Sequence, residues 1–209
     1  MTTPFKPELL SPAGSLKNMR YAFAYGADAV YAGQPRYSLR VRNNEFNHAN
    51  LKIGIDEAHS LGKKFYVVVN IAPHNSKLKT FIKDLQPVID MGPDALIMSD
   101  PGLIMLVREN FPDIDIHLSV QANAVNWATV KFWKQMGLTR VILSRELSIE
   151  EIAEIRQHVR TRNFRTRCVM YGVFWPLLAF WLYQQTRPKP RHLYQCLPLG
   201  IQNGRRYHG

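Results

Sequence analysis

Cysteine is nearly absent. The chain has two in 209 residues, Cys168 and Cys196, which excludes a disulfide scaffold, and no Cys-x-x-Cys pair points to a zinc ribbon. The opening MTTPFKPELL lacks a basic segment followed by an apolar one, so no secretory leader is expected and the expected compartment is the cytoplasm. The seven His are scattered, with no His-Glu-x-x-His and no Gly-x-Ser-x-Gly. That excludes the zincin and nucleophile-elbow patterns, and no metal site is expected. Acidic residues are missing from one region only. Residues 161–209 contain no Asp or Glu, yet hold eight Lys and Arg, nine of the 23 aromatics and both cysteines. The first 160 residues hold all 16 acids and 19 of the 27 basic residues, so the formal charge of +11 divides into +3 and +8 at a composition boundary near Arg160.

The first part repeats one phrase: a helical stretch, a Gly, a polar residue or two, then an apolar burst. It reads Tyr25-Gly26-Ala27-Asp28-Ala29-Val30-Tyr31, then Leu61-Gly62-Lys63-Lys64-Phe65-Tyr66-Val67, then Met91-Gly92-Pro93-Asp94-Ala95-Leu96-Ile97, then Met136-Gly137-Leu138-Thr139-Arg140-Val141-Ile142. A Gly just past a helix takes the left-handed conformation that closes it, and the bursts fit strands buried on both faces. Two further strands are expected at Glu8–Leu10 and Ile114–Val120. Between them, Leu51–Leu61, Leu78–Met91, Leu103–Asn110 and Trp127–Met136 carry helical apolar spacing. Ser148-Ile149-Glu150-Glu151 opens a last helix with a capping box. Six β-α units in series admit a doubly wound sheet or a barrel. Without Gly-x-Gly-x-x-Gly after the first strand the dinucleotide-binding version weakens. The expected α/β fold is an incomplete (β/α)8 barrel of the TIM type in residues 1–160, two units short of a complete ~250-residue barrel.

Barrel chemistry sits at the C-terminal ends of the strands. Those ends supply Ser11, Asn70, Ser99, Gln121, Asn123, Arg145 and Glu146. In the fifth strand Asp115, His117, Ser119 and Gln121 share one parity and Ile116, Leu118 and Val120 the other, so the polar set is expected to face the lumen. A polar mouth suits a polar or anionic small molecule. Arg36, Arg40 and Arg42 lie on the loop after the second strand, where they could grip phosphate or carboxylate groups or simply be solvated.

The runs Glu8-Leu9-Leu10-Ser11-Pro12-Ala13-Gly14-Ser15, Gly26 to Gly33, Tyr37-Ser38-Leu39-Arg40, Val69-Asn70, His117 to Asn123 and Ser144-Arg145-Glu146-Leu147-Ser148 resemble, in order, peptidase family U32, the collagenase-like proteases. The resemblance covers residues 5 to about 160 and is strongest to members that use prephenate to form 5-hydroxyuridine at the tRNA wobble position. It implies a barrel-like first domain in a longer protein and a tRNA partner. Ser11, Asn70, His117, Ser119, Gln121, Asn123, Arg145 and Glu146 would line the substrate pocket for a small carboxylate. Arg36, Arg40 and Arg42 would meet RNA phosphate or that carboxylate. It also implies an iron–sulfur cluster held by a motif Glu-x-Phe-x-x-Gly-x-x-Cys-x4-Gly-x-Cys that should follow Arg160 and does not, so neither cluster nor prephenate is expected on this chain. A genuine peptidase remains the rival within the family, although the sequence offers no recognisable nucleophile–base pair.

The tail's possible codons account for the missing motif. Met170-Tyr171 must be AUG UAY, which one nucleotide later contains UGU, a Cys; Trp175-Pro176 must be UGG CCN, which contains GGC, a Gly. Over some forty codons the offset frame permits the seventh strand and the whole cysteine motif. The expectation is that residues 161–209 are translated out of frame from near Arg160, and that this chain is truncated, poorly stable and inactive. Two alternatives take the tail as genuine. One is a membrane segment over Cys168–Thr186, which carries no charge but contains Gly172, Pro176 and two Gln. The other is a noncatalytic RNA-binding tail, basic with interleaved aromatics.

Overall fold

The computed structural model describes residues 7–39, 44–144 and 146–159. Strands and helices alternate along the chain: β1 (Leu10–Pro12), α1 (Leu16–Ala24), β2 (Ala29–Gly33), α2 (His48–Ser60), β3 (Lys64–Val69), α3 (Asn75–Asp90), β4 (Ala95–Met98), α4 (Pro101–Asn110), β5 (Ile116–Leu118), α5 (Trp127–Gln135), β6 (Arg140–Val141) and α6 (Ile149–Val159). The helix ends follow from the repeated phrase. Gly26, Gly62, Gly92 and Gly137 all have positive φ, between 64° and 96°. After three of them the next N–H reaches back to a carbonyl of the last turn: Ala27 to Ala22 at 2.9 Å, Lys63 to Ala58 at 2.9 Å and Leu138 to Trp133 at 3.2 Å. The starts of the helices other than α3, which has no capping side chain, are set by side chains. Ser15, Asn47, Asp100 and Asn126 each accept a hydrogen bond from the N–H three residues on. At α6 the capping box closes both ways, Glu151 N–H to Ser148 Oγ at 3.2 Å and Ser148 N–H to Glu151 Oε2 at 2.7 Å.

All five strand pairs are parallel and the order is β1-β2-β3-β4-β5-β6. A doubly wound sheet must reverse its order at a switch point; sequential addition does not, so the fold is a parallel six-strand half-barrel with alternating helices. Val30, Ala32, Phe65, Val67, Val69, Leu96, Met98, Ile116, Leu118 and Val141 pack outward with Met19, Leu51, Ile55, Phe81, Leu85, Leu103, Val107, Val130 and Ile155 of the helices. The alternate residues Tyr31, Tyr66, Val68, Ile97 and His117 are also buried but belong to the opposite, lumenal face.

Two strand boundaries differ from expectation. The expected strand at Glu8–Leu10 is displaced to Leu10–Pro12, because the Asp28 carboxylate takes the Leu9 N–H at 2.9 Å while the Leu9 carbonyl accepts the N–H groups of Asp28 and Ala29. The fifth strand is Ile116–Leu118, not Ile114–Val120. Before it, the Ile114 N–H turns back to Phe111; after it, Ala122 and Asn123 donate to Ser119 and Val120 and wind the chain into a 3-10 turn over Val120–Ala122. Asp115 is therefore an exposed residue ahead of the strand, whereas His117 keeps the expected inward parity.

Candidate functional site

The chain segments after the strands gather at one end of the half-barrel, where a cavity of about 650 Å³ opens. Its wall takes Asn70, Ile71, Ala72 and Pro73 from the chain after β3, His74, Ser76 and Lys77 from the start of α3, Ser99 from the end of β4, Gln121 from the turn after β5, and Leu39 from the loop after β2. Asn70 ties three of these segments together: its Oδ1 accepts the Leu39 N–H at 3.1 Å and its carbonyl accepts the Ser99 hydroxyl at 3.2 Å. With Oδ1 committed to the main chain, the group Asn70 has to offer a ligand is its NH2 donor. Asn70, Gln121, Ser99, His74 and Lys77 thus supply amide, hydroxyl, imidazole and ammonium groups against an apolar wall of Leu39, Ile71, Ala72 and Pro73, a composition that fits a small polar or anionic molecule with an apolar body.

The sequence-derived pocket candidates that are described fall into three groups. Asn70 and Gln121 share the cavity wall. His117 and Ser119 lie on the same run of chain as Gln121 but are buried, each 4 % exposed; the Ser119 N–H donates to the Met98 carbonyl at 2.7 Å. Ser11 in β1, the exposed Asn123 (left-handed, φ 48°) and the exposed Glu146 are not among the wall residues. A hydrogen bond from Ser144 holds the Glu146 carboxylate below the usual range. Arg40, Arg42 and Arg145 lie outside the described residues, as do both cysteines, Cys168–Thr186 and the whole of 161–209. The sequence reading missed His74, Ser76 and Lys77 because they open a helix; their only signal was their position directly after a strand end.

Arg36, expected at RNA phosphate or a substrate carboxylate, lies beside a carboxylate of the protein itself. Its Nη1 lies 2.8 Å from Asp84 of α3, and the buried Tyr37 hydroxyl donates to the same oxygen at 2.7 Å. The hydrogen bond from Tyr37, ahead of the Arg36 charge, holds the Asp84 carboxyl below its ordinary value. The Lys77 ammonium donates to the Arg36 carbonyl at 3.0 Å and, like the Arg36 guanidinium, lies 5.8 Å from the Tyr37 ring centre. The loop after β2 is therefore clamped to α3 beside the cavity.

Deeper in the lumen is a charge cluster with no local sequence signal. Arg140 of β6 bonds Glu8 at 2.7 Å and 3.4 Å, with side chains 7 % and 12 % exposed, and the Tyr66 hydroxyl of β3 donates to the same carboxylate at 2.9 Å. The Arg140 guanidinium sits 5.2 Å from the Tyr66 ring centre, and the His117 imidazole meets that ring edge-on at 4.7 Å. Burial pushes the Tyr66 hydroxyl well above its ordinary value; Arg140 opposes the rise and Glu8 reinforces it. Burial also opposes the Arg140 charge, but the bonds and charges of Glu8 and Tyr66 together more than offset it. The cluster ties the segment before β1 to β3 and β6.

Iron–sulfur ligation needs thiolates. None of the described residues is a cysteine, and no group of three or more His, Cys, Asp or Glu placed for a metal occurs among them. The described residues therefore do not fit a cluster. Among them, too, no helix is long and apolar enough to cross a membrane.

The sequence pattern of peptidase family U32 matches residues 14–173. The chain is 97 % identical over 159 residues to tRNA hydroxylation protein P of Haemophilus influenzae, an alignment covering 76 % of this chain and 35 % of that one. It is 87 % identical over 155 residues to the protein of the same name from Escherichia coli, covering 74 % and 34 %. It thus spans about a third of the length of these curated relatives. A U32 peptidase of known structure superimposes with a TM-score of 0.59 at 14 % identity, covering 77 % of this chain and 68 % of that one, which is a likeness of fold. With a family match over most of its length, this chain belongs to peptidase family U32.

Proposed function

We propose that residues 7–159 are the barrel portion of an RNA-hydroxylating enzyme acting on tRNA, and that the cavity at the strand ends receives its small polar ligand. The observation that carries this is the 97 % identity, over 159 residues, to a tRNA hydroxylation protein. The mixture of amide, hydroxyl and cationic groups in the cavity wall supports it. Prephenate, a dicarboxylate on a hydroxylated cyclohexadiene ring, is our candidate for that ligand; Lys77 and His74 would face its charge and Asn70 and Gln121 its oxygens. Any iron–sulfur cluster would be held by cysteines supplied in the offset frame after Arg160, and we place the enzyme in the cytoplasm with its tRNA. The chain as written, with its acid-free tail, is proposed to support no hydroxylation by itself.

The test is nucleoside mass spectrometry of tRNA from a strain lacking its own enzyme. The gene as written and the gene restored to the offset frame after codon 160 are each supplied in turn. The restored gene is expected to return 5-hydroxyuridine and the gene as written is not. Restoration by the gene as written would overturn the proposed role of the cysteine motif; restoration by neither would overturn the tRNA assignment.

A further inference from the structure

We infer that the outer face of α3 is a phosphate-binding track, along which an RNA strand runs as it delivers a nucleotide to the cavity. This rests on the RNA assignment above. The helix begins in the cavity wall with Ser76 and Lys77. Its buried side is Phe81, Leu85 and Val88, and Ser76, Lys79 and Lys83, spaced by three and four, form one row on the opposite, exposed side. Lys79 and Lys83 stand about 6 Å apart along the axis, and among the described residues no carboxylate pairs with either.

Of the other cations, Lys17, Lys64, Lys131 and Arg156 are exposed on other elements and are not among the cavity-wall residues, while several more are already engaged. Arg20 holds Glu57, Lys52 holds Asp56, Lys63 meets Asp28, and Arg108 donates to three main-chain carbonyls. Among the acids of α3 itself, Asp84 feels the Lys83 charge, but less than that of Arg36, which bonds it directly. Asp84 is taken by Arg36 and Tyr37, and Asp90 lies at the far end, about 16 Å along the axis from Lys79, accepting a bond from Gln86. A lysine row with no ion-paired carboxylate that starts at a cavity has the charge and direction to hold the phosphates flanking a nucleotide turned into that cavity.

The experiment measures binding of the 209-residue chain to a tRNA anticodon stem–loop by fluorescence anisotropy, from about 50 to 200 mM salt. It compares the unaltered chain, the pair Lys79→Gln with Lys83→Gln, and a control pair of exposed lysines on α1 and α5, Lys17→Gln with Lys131→Gln. All three proteins are checked for equal helix content by circular dichroism. The α3 pair is expected to weaken binding tenfold or more and to flatten the slope of log K against log salt by about 1.4, two single-strand phosphate contacts at 0.7 each. The basic tail contributes equally to every variant and cancels from that difference. The control pair is expected to change affinity less than threefold. Equal losses from the two pairs, or no loss from the α3 pair, would overturn the track while leaving RNA binding in place. Failure of the unaltered chain to bind at all would overturn the track together with the RNA assignment.

Discussion

Tyr66 joins the charged and aromatic members of the buried lumenal cluster. Its hydroxyl supports the Glu8–Arg140 pair, and its ring is packed by the Arg140 guanidinium and the His117 imidazole. Replacing Arg140 by Met would strand a buried carboxylate, an expected loss of about 3–5 kcal/mol in urea unfolding. Replacing Glu8 by Gln at the same time should recover part of that loss, because no uncompensated charge remains; a double variant worse than Arg140→Met alone would contradict the buried pairing. Tyr66 also sets an alkaline limit. Its folded pKa lies above the ordinary 10.0, so the stability it contributes is complete below about pH 10 and is lost as pH rises through the folded value. In a tyrosinate absorbance titration Tyr66 should stay silent until the fold is lost, and Tyr66→Phe should reduce the late step by one tyrosine. Asp84 behaves in the opposite sense. Its depressed pKa gives a contribution present above the unfolded carboxylate value and lost as pH falls. Tyr37→Phe removes the largest cause, so Asp84 should titrate higher in a carboxyl NMR experiment. Neither cluster was legible in the sequence. Glu8 and Arg140 are 132 positions apart and Arg36 and Asp84 are 48 apart, and local periodicity carries no information on such pairings.

At the scale of elements the sequence was far more legible, because helix ends are decided locally. The four glycines of the repeated phrase all adopt left-handed geometry, and the capping box forms as written. The two strand errors arose where side chains and turns outside the apolar pattern competed with the ladder: the Asp28 carboxylate at Leu9 and the 3-10 turn after Leu118. The same reasoning separates two glycine substitutions. At Gly26, φ is +96° and an added methyl meets nothing within 4 Å, so Gly26→Ala should cost only the backbone penalty of about 1–2 kcal/mol. At Gly33 an added Cβ would lie 2.8 Å from the Ser38 Cβ and 2.5 Å from its Oγ, on the loop that carries Leu39 into the cavity wall. Gly33→Ala should therefore disturb ligand binding at the cavity as well as stability. Thermal unfolding read beside ligand affinity distinguishes them: Gly26→Ala should lower the Tm and leave affinity unchanged, whereas Gly33→Ala should change both.

For the whole molecule, the sequential strand order bears out the barrel expected from the sequence over the doubly wound sheet, and that order rests on pairings between segments, which no single segment contains. The boundary near Arg160 is the other large-scale feature. Before it, every expected β-α unit has its place in one parallel sheet; after it, 49 residues carry no acid, while the possible codons of Met170-Tyr171 and Trp175-Pro176 force a Cys and a Gly one nucleotide later. We propose that the two unlike parts are one family gene read in two frames. The nucleotide sequence across codons 155 to 210 tests this most directly. An offset frame that stays open and encodes the cysteine motif is the expected result, and a stop codon within that frame would contradict it.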